Sequence, residues 1–377
     1  MNRITPRGLA LALRNILIAL LALALLAVNA STALIVRPNL GDFGSFIASG
    51  RAALAGENPY GVYSLTGRVR VPGFELNNPN LNPPFSLLFF EPLAGLDWGV
   101  AYLVWRVVSG IIALATVAVL IRAYRPSPRR VAWALLAFPV WGAAAMTQIY
   151  VPLFALTAAA WLLLDRRRDA LAGIVIGFIV AWKPNLAVWP VFLFLAGHRR
   201  VALVAAGACA VCSLLPVLRY GPGVYLQWLA LVTTDGERAA YPTNLSLVGL
   251  FARAGLTTIG QSIALALLAP IAYIVWRRRP APNDTGAVAL VSALLASPVA
   301  WLYYAVLLWP ALLRRRWTPA IAAGAALLLY PIGLHLADAF SPLALRLTVG
   351  ALHVWALVLL TIGFLPSLQK ERRVAAH

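Results

Sequence analysis

Long apolar runs, cut at intervals by short clusters of arginine, leave this chain few ways to fold. The clusters are Arg122/Arg125/Arg129/Arg130, Arg166-Arg167-Arg168, His198-Arg199-Arg200, Arg277-Arg278-Arg279 and Arg314-Arg315-Arg316. A run of about 20 apolar residues matches the hydrocarbon core of a bilayer, and basic residues gather in the short loops on its cytoplasmic side. A soluble fold would need many helices that are apolar all round inside one small core. Mean hydropathy is +0.82. Hydrophobic residues make up 62% of the chain, against roughly 45–50% in globular domains. The expected fold class is therefore all-α, a polytopic transmembrane helical bundle read as one domain over residues 1–377.

The formal net charge of +19 does not indicate nucleic acid. Its basic residues sit between apolar spans, whereas a nucleic-acid groove needs a continuous basic stripe. Cys209 and Cys212 form a Cys-x-x-Cys pair inside an apolar span. That setting favours small residues packed between helices over a redox motif.

Arg3, Arg7 and Arg14 precede the first span, at about residues 15–36, and place the N-terminus in the cytoplasm. Small residues at Asn29–Ala33 leave a cleaved signal peptide as the alternative. Apolar character continues through Val36 and favours an anchor. Further spans are expected at about 98–121, 131–147, 149–164, 201–218, 258–276, 318–336 and 346–365. Two short hairpins interrupt them. One, over about 170–197, is hinged at Lys183-Pro184; the other, over about 286–313, turns at Ser297-Pro298. The sum is about 12 crossings in the cell membrane with both termini cytoplasmic. Residues 84–96 are too short to cross and read as re-entrant or interfacial.

Residues 37–97 and 219–256 then form the main extracytoplasmic loops, rich in Gly, Pro, Asn, Tyr and Trp. Phe43, Phe46, Ile47, Ala53 and Leu54 recur at helical spacing, which predicts a short interfacial helix. Asp42 opens it. Only 12 acidic residues stand against 31 basic ones, so few carboxylates are available for base chemistry. At the mouth of a membrane cavity Asp42 suits a general base; the structural alternative is a helix N-terminal charge. Lys183, between two arms too short to cross comfortably, suits an anion such as a lipid phosphate, or snorkels to the headgroups. His335 stands near the outer end of its span as a second candidate phosphate partner. No phosphate-loop, dinucleotide or zinc pattern occurs, so no cofactor and no metal are expected.

The order of short motifs along the chain resembles glycosyltransferase family 87, integral membrane enzymes of the C-type fold that use polyprenyl-phosphate sugars. The motifs are Gly41-Asp42-Phe43, Gly56-Glu57-Asn58-Pro59-Tyr60, Leu81-Asn82-Pro83-Pro84-Phe85 and Glu91-Pro92-Leu93. They continue with Gln148, Lys183-Pro184, Thr243-Asn244-Leu245-Ser246-Leu247 with Arg253, and Ser297-Pro298-Val299-Ala300-Trp301. The resemblance implies inverting transfer of a hexose, typically mannose, on the outer face, with Asp42 as base. It implies as partners a polyprenyl-phosphate sugar donor, a glycolipid or polysaccharide acceptor and the bilayer. After Trp301, where histidines are expected, the chain has Leu302-Tyr303-Tyr304. Lys183, Tyr303, Tyr304 and His335 are accordingly expected at the donor phosphate, and Tyr60, Asn82 and Asn244 at sugar hydroxyls. The competing reading is a transporter or flippase of an anionic lipid, a class that also uses broken hairpins and buried cations.

Overall fold

The computed structural model describes residues 6–34, 40, 42–71, 74–234, 236–331 and 341–367. In chain order the helices are α1 (Pro6–Leu34), α2 (Asp42–Leu54), α3 (Leu87–Ala94), α4 (Trp98–Tyr124), α5 (Pro128–Leu136), α6 (Phe138–Ala145), α7 (Tyr150–Asp165), α8 (Asp169–Trp182) and α9 (Val188–Leu195). They continue as α10 (Arg199–Tyr220), α11 (Gly223–Thr234), α12 (Leu247–Ala252), α13 (Thr257–Arg278), α14 (Pro282–Ala296), α15 (Trp309–Arg314), α16 (Pro319–Leu327), α17 (Leu343–Leu347) and α18 (Leu352–Phe364). Five stretches are long and apolar enough to cross a membrane: Leu13–Ser31, Trp98–Tyr124, Arg199–Tyr220, Thr257–Arg278 and Leu343–Phe364. The chain is an all-α, multi-pass membrane protein. α4, α10 and α13 turn large apolar side chains outward, among them Leu114, Leu218 and Leu265. A helix satisfies its own backbone, so such a face is at home in lipid.

Prolines set the breaks. Lys183 is extended (φ −143°, ψ 89°) between α8 and the 3-10 turn Pro184–Ala187. Ser297 is extended (ψ 138°) after α14. Both precede a proline, whose ring disfavours the helical conformation in the residue before it. The two breaks meet, because Asn185 Nδ2 donates to Ser297 Oγ at 3.3 Å. α14 is buried along nearly its whole length and forms the centre of the bundle. α8 is held tightly to α10. A Cβ on Gly177 would lie 2.3 Å from the Ala205 carbonyl oxygen, and one on Gly173 would lie 2.7 Å from that of Val201. Only glycine allows this approach, and it fixes the arm that ends at Lys183.

The five basic clusters gather at one end. Arg130 Nη1 donates to the Leu313 carbonyl at 2.9 Å, and Tyr124 donates to Asp165 at 2.8 Å. Arg314 pairs with Asp165 at 3.2 Å and with Asp284 at 3.7 Å, and Arg315 is in contact with Asp284. His198 Nε2 lies 2.8 Å from the Pro280 carbonyl oxygen. From Asp165 the 16 residues of α7 lead about 24 Å to the other end.

Two expectations need correction. The helix predicted after the first span exists as α2, but its residues Asp42–Gly50 are all buried, so it is not an interfacial amphipath. Phe43 and Phe46 pack on Phe90, and Phe43 also stacks with Trp105 of α4. The opposite stripe, Asp42, Ser45 and Ser49, is covered by the loop that follows. That loop contains an element the periodicity did not show, an antiparallel ribbon of β1 (Gly67–Val71) and β2 (Phe74–Asn78) with Gly67 opposite Asn78.

Candidate active site

Asp42 is the first residue of α2 and is 7% exposed. Its position is set by the break between α6 and α7. The Asp42 amide donates to the Met146 carbonyl at 3.3 Å, and the Thr147 hydroxyl donates to the Leu40 carbonyl at 3.1 Å. The Trp105 indole donates to the Thr147 carbonyl at 2.9 Å. Leu40 (φ 59°) and Thr147 (φ 52°) both adopt the left-handed conformation, which is costly for a non-glycine residue and most of all for a β-branched one. Thr147 follows the C-terminal end of α6, and the other described non-glycine residues of this kind, Arg125, Arg167 and Arg279, likewise lie at C-terminal ends of helices, where the conformation is ordinary; Thr147 differs from them in being β-branched. A left-handed leucine two residues before a buried carboxylate is the kind of strain found at functional sites.

Two neutral groups donate to that carboxylate. Asn78 Nδ2 lies 2.5 Å from Oδ1, and the Tyr303 hydroxyl lies 3.2 Å from Oδ2. β2 delivers Asn78, and Ser45 secures the ribbon by donating to the Asn78 carbonyl at 2.5 Å while accepting from the Gly67 amide at 3.0 Å. Behind Asn78 stands Arg238, 4% exposed, from the 3-10 turn Glu237–Ala240. Its Nη1 donates to Asn78 Oδ1 at 2.6 Å and its Nη2 to the Asn77 carbonyl at 2.8 Å.

Tyr303 is the second residue of the buried 3-10 segment Leu302–Leu308, which is zipped to the chain near Asn244. The Leu245 amide donates to the Ala300 carbonyl at 2.7 Å and the Leu302 amide to the Thr243 carbonyl at 3.1 Å. The next residue, Tyr304, stacks on Tyr150 with ring centroids 3.6 Å apart. Lys183 closes the group. Its ammonium lies 5.4 Å from the Tyr150 ring centroid and 5.5 Å from that of Tyr304, within cation–π range. It also lies close enough to Asp42 to feel that charge. An acceptor of protons, a cation and phenol donors thus share one buried cluster at the end away from the arginines. Such a set suits proton abstraction beside stabilisation of an anionic leaving group.

Of the residues singled out from sequence, Asp42, Lys183, Tyr303 and Tyr304 therefore stand together. Asn244 is fully buried with its amide in use. It donates to the Ala239 and Pro298 carbonyls and accepts from the Ser246 and Ala300 amides. Asn82 donates to Asn80, which is hooked to Ser49, two helical turns along α2 from Asp42. Tyr60 donates to the Asn82 carbonyl at 3.3 Å within a separate cluster with Leu87 and Val224. In this arrangement all three hold loops in place. His335 lies outside the described residues. Among the described residues no three His, Cys, Asp or Glu side chains gather as a metal site requires. Sequence reasoning did not find Asn78, Arg238 or Tyr150. A basic residue in a loop that is otherwise Tyr- and Trp-rich was the one signal for Arg238.

The chain is 28% identical over 269 residues to the polyprenol-phosphate-mannose-dependent alpha-(1-2)-phosphatidylinositol mannoside mannosyltransferase of Mycobacterium tuberculosis. That match covers 63% of this chain and 62% of the relative, less than two thirds of its length. It is 27% identical over 318 residues to the polyprenol-phosphate-mannose-dependent alpha-(1-2)-phosphatidylinositol pentamannoside mannosyltransferase of Mycolicibacterium smegmatis, covering 77% of this chain and 73% of the relative. No solved structure matches. The family model of glycosyltransferase family 87 matches residues 80–298, a segment that holds Lys183, Arg238 and Asn244 and is flanked by Asp42 and Tyr303. That segment is more than half of the 377 residues, and on this ground the chain belongs to glycosyltransferase family 87.

Proposed function

We propose that the protein transfers a hexosyl residue, mannose in the first instance, from a polyprenyl-phosphate donor to an acceptor hydroxyl on the extracytoplasmic face, with inversion. The observation that carries the reading is the buried Asp42 carboxylate set among neutral donors beside Lys183. The acceptor hydroxyl gives its proton to Asp42 as its oxygen bonds to the anomeric carbon. The bond from that carbon to the phosphate oxygen breaks on the opposite face, which inverts the centre. The departing polyprenyl phosphate gains negative charge, which Lys183 and the phenols of Tyr303 and Tyr304 stabilise. Both relatives are named for polyprenol-phosphate-mannose dependence and phosphatidylinositol mannosides, which supports mannose as donor sugar and a glycolipid as acceptor.

The gathering of five basic clusters at the opposite end supports the orientation, with cytoplasmic termini and an outward-facing site. The proposed architecture is the C-type fold as one domain with about 12 crossings. In it the shorter helices, such as α7 and α8, complete the five long spans. The test supplies radiolabelled polyprenyl-phosphate mannose and a mixed lipid extract to purified protein. Label should enter a new glycolipid with wild type and not with Asp42→Asn. Equal labelling by an Asp42→Asn protein that folds and binds donor would remove Asp42 as base. Donor movement between leaflets without any transfer would favour the flippase.

A further inference from the structure

The Arg238–Asn78–Asp42 chain has a polarity set by chemistry alone. A guanidinium can only donate hydrogen bonds, and an ionised carboxylate can only accept them. An amide between them satisfies both in one orientation, with its oxygen toward Arg238 and its NH₂ toward Asp42. The distances of 2.6 Å and 2.5 Å on its two sides fit that orientation. Arg238 also grips the Asn77 carbonyl, so the end of β2 is held by backbone and side chain together. Ser45 holds the same strand end from α2. The strand end that carries Asn78 is thereby fixed beside the carboxylate.

We infer that Arg238 is a positioning residue for the transfer reaction, acting through Asn78 to hold the Asp42 carboxylate oriented and ionised toward the acceptor hydroxyl. This rests on the proposed role of Asp42 as base. The groups around that carboxylate include Asn78 from β2, Tyr303 from the 3-10 segment, and the charge of Lys183 from the α8 hinge. Arg238 adds the anchor on the far side, on the Asn78 amide oxygen and the Asn77 carbonyl. If Arg238 is lost, the Asn78 amide and the end of β2 lose the anchor behind them, and the amide no longer holds the carboxylate in one direction.

The experiment is a thermodynamic cycle on transfer by the full-length protein, with polyprenyl-phosphate mannose as donor. Arg238→Gln should lower kcat about 10- to 100-fold, the scale of a misplaced reactive group, with donor KM within about threefold of wild type. Asn78→Ala cuts the chain at its other link without removing the buried charge, and should do the same. It decides the matter should Arg238→Gln fail to give folded protein. Added to Asp42→Asn, either change should lower the residual rate by no more than about twofold, because residues that act as a unit are not additive. Three results would overturn the inference: wild-type kcat in folded Asn78→Ala, a raised donor KM with kcat intact in Arg238→Gln, or a second full loss on top of Asp42→Asn. Failure of the underlying reading is separately visible, since Asp42→Asn alone would then run at the wild-type rate.

Discussion

Asp284 and Asp42 both stand in the first turn of a helix, at opposite ends of the bundle, and the protein treats them differently. Asp284 on α14 meets two guanidinium groups directly, Arg314 at 3.7 Å and Arg315 closer. Its neighbour Asp165 takes Arg314 at 3.2 Å together with the Tyr124 hydroxyl and the Asn283 amide. These charges are neutralised where they lie, and they staple α7, α14 and α15 together. Around Asp42 an amide and a phenol donate to the oxygens, Arg238 directs two N–H groups at Asn78 and Asn77, and Lys183 lies over two aromatic rings. A carboxylate in direct pairs with arginine is committed to structure. One that accepts from an amide and a phenol suits the base role proposed for Asp42.

The comparison breaks if the two ends respond alike to neutralisation. Asp42→Asn should give the largest effect, a loss of about 10²- to 10⁴-fold in transfer rate with little change in melting temperature. The rate is read from labelled glycolipid, and melting from thermal unfolding in detergent. Lys183→Gln should cost about 10²-fold in kcat by removing charge from the leaving phosphate. An effect confined to donor KM would instead make Lys183 a ground-state binding residue. Tyr303→Phe sharpens the picture, since it removes a single neutral donor at 3.2 Å. A loss of about tenfold is expected, about 1.4 kcal/mol, in a pre-steady-state measurement of the chemical step. Asp284→Asn should leave the rate within about twofold and lower stability by about 1–2 kcal/mol, since its pairs are only partly shielded from solvent. Inactive but stable Asp284→Asn protein would erase the distinction drawn between the ends.

Much of the fold can be read without coordinates, for local reasons. An apolar run free of proline, as in α4, becomes a long helix. Lys183-Pro184 and Ser297-Pro298 become breaks because a proline restricts the residue before it. The arginine clusters mark loops that share one end because charged residues stay out of hydrocarbon. Asp42 and Lys183 stand out by the same logic, as charges in places where charge is expensive. The periodicity of α2 was half legible. Phe43, Phe46 and Ile47 show its apolar stripe, but the stripe of Asp42, Ser45 and Ser49 carries no sign of what will cover it. The ribbon was not read, although Arg68-Val69-Arg70-Val71 alternates, because the run is short and its partner Phe74–Asn78 loses the pattern at Asn77-Asn78.

Composition and pattern by themselves determined that this chain is helical, lies in a membrane, and bends its helices at two X-Pro hinges. They also singled out a carboxylate and a lysine. The tertiary structure alone decided that Asp42 would meet Asn78, Arg238 and Tyr303. Asn78 lies 36 residues from Asp42, Arg238 lies 160 from Asn78, and Tyr303 lies 261 from Asp42. Helix periodicity and proline chemistry act over a few residues and can be read along the chain. A hydrogen bond at 2.5–3.2 Å across such separations depends on how every intervening helix packs. Here that includes two glycines on α8, a left-handed threonine before α7, and an asparagine that ties one loop to another hairpin.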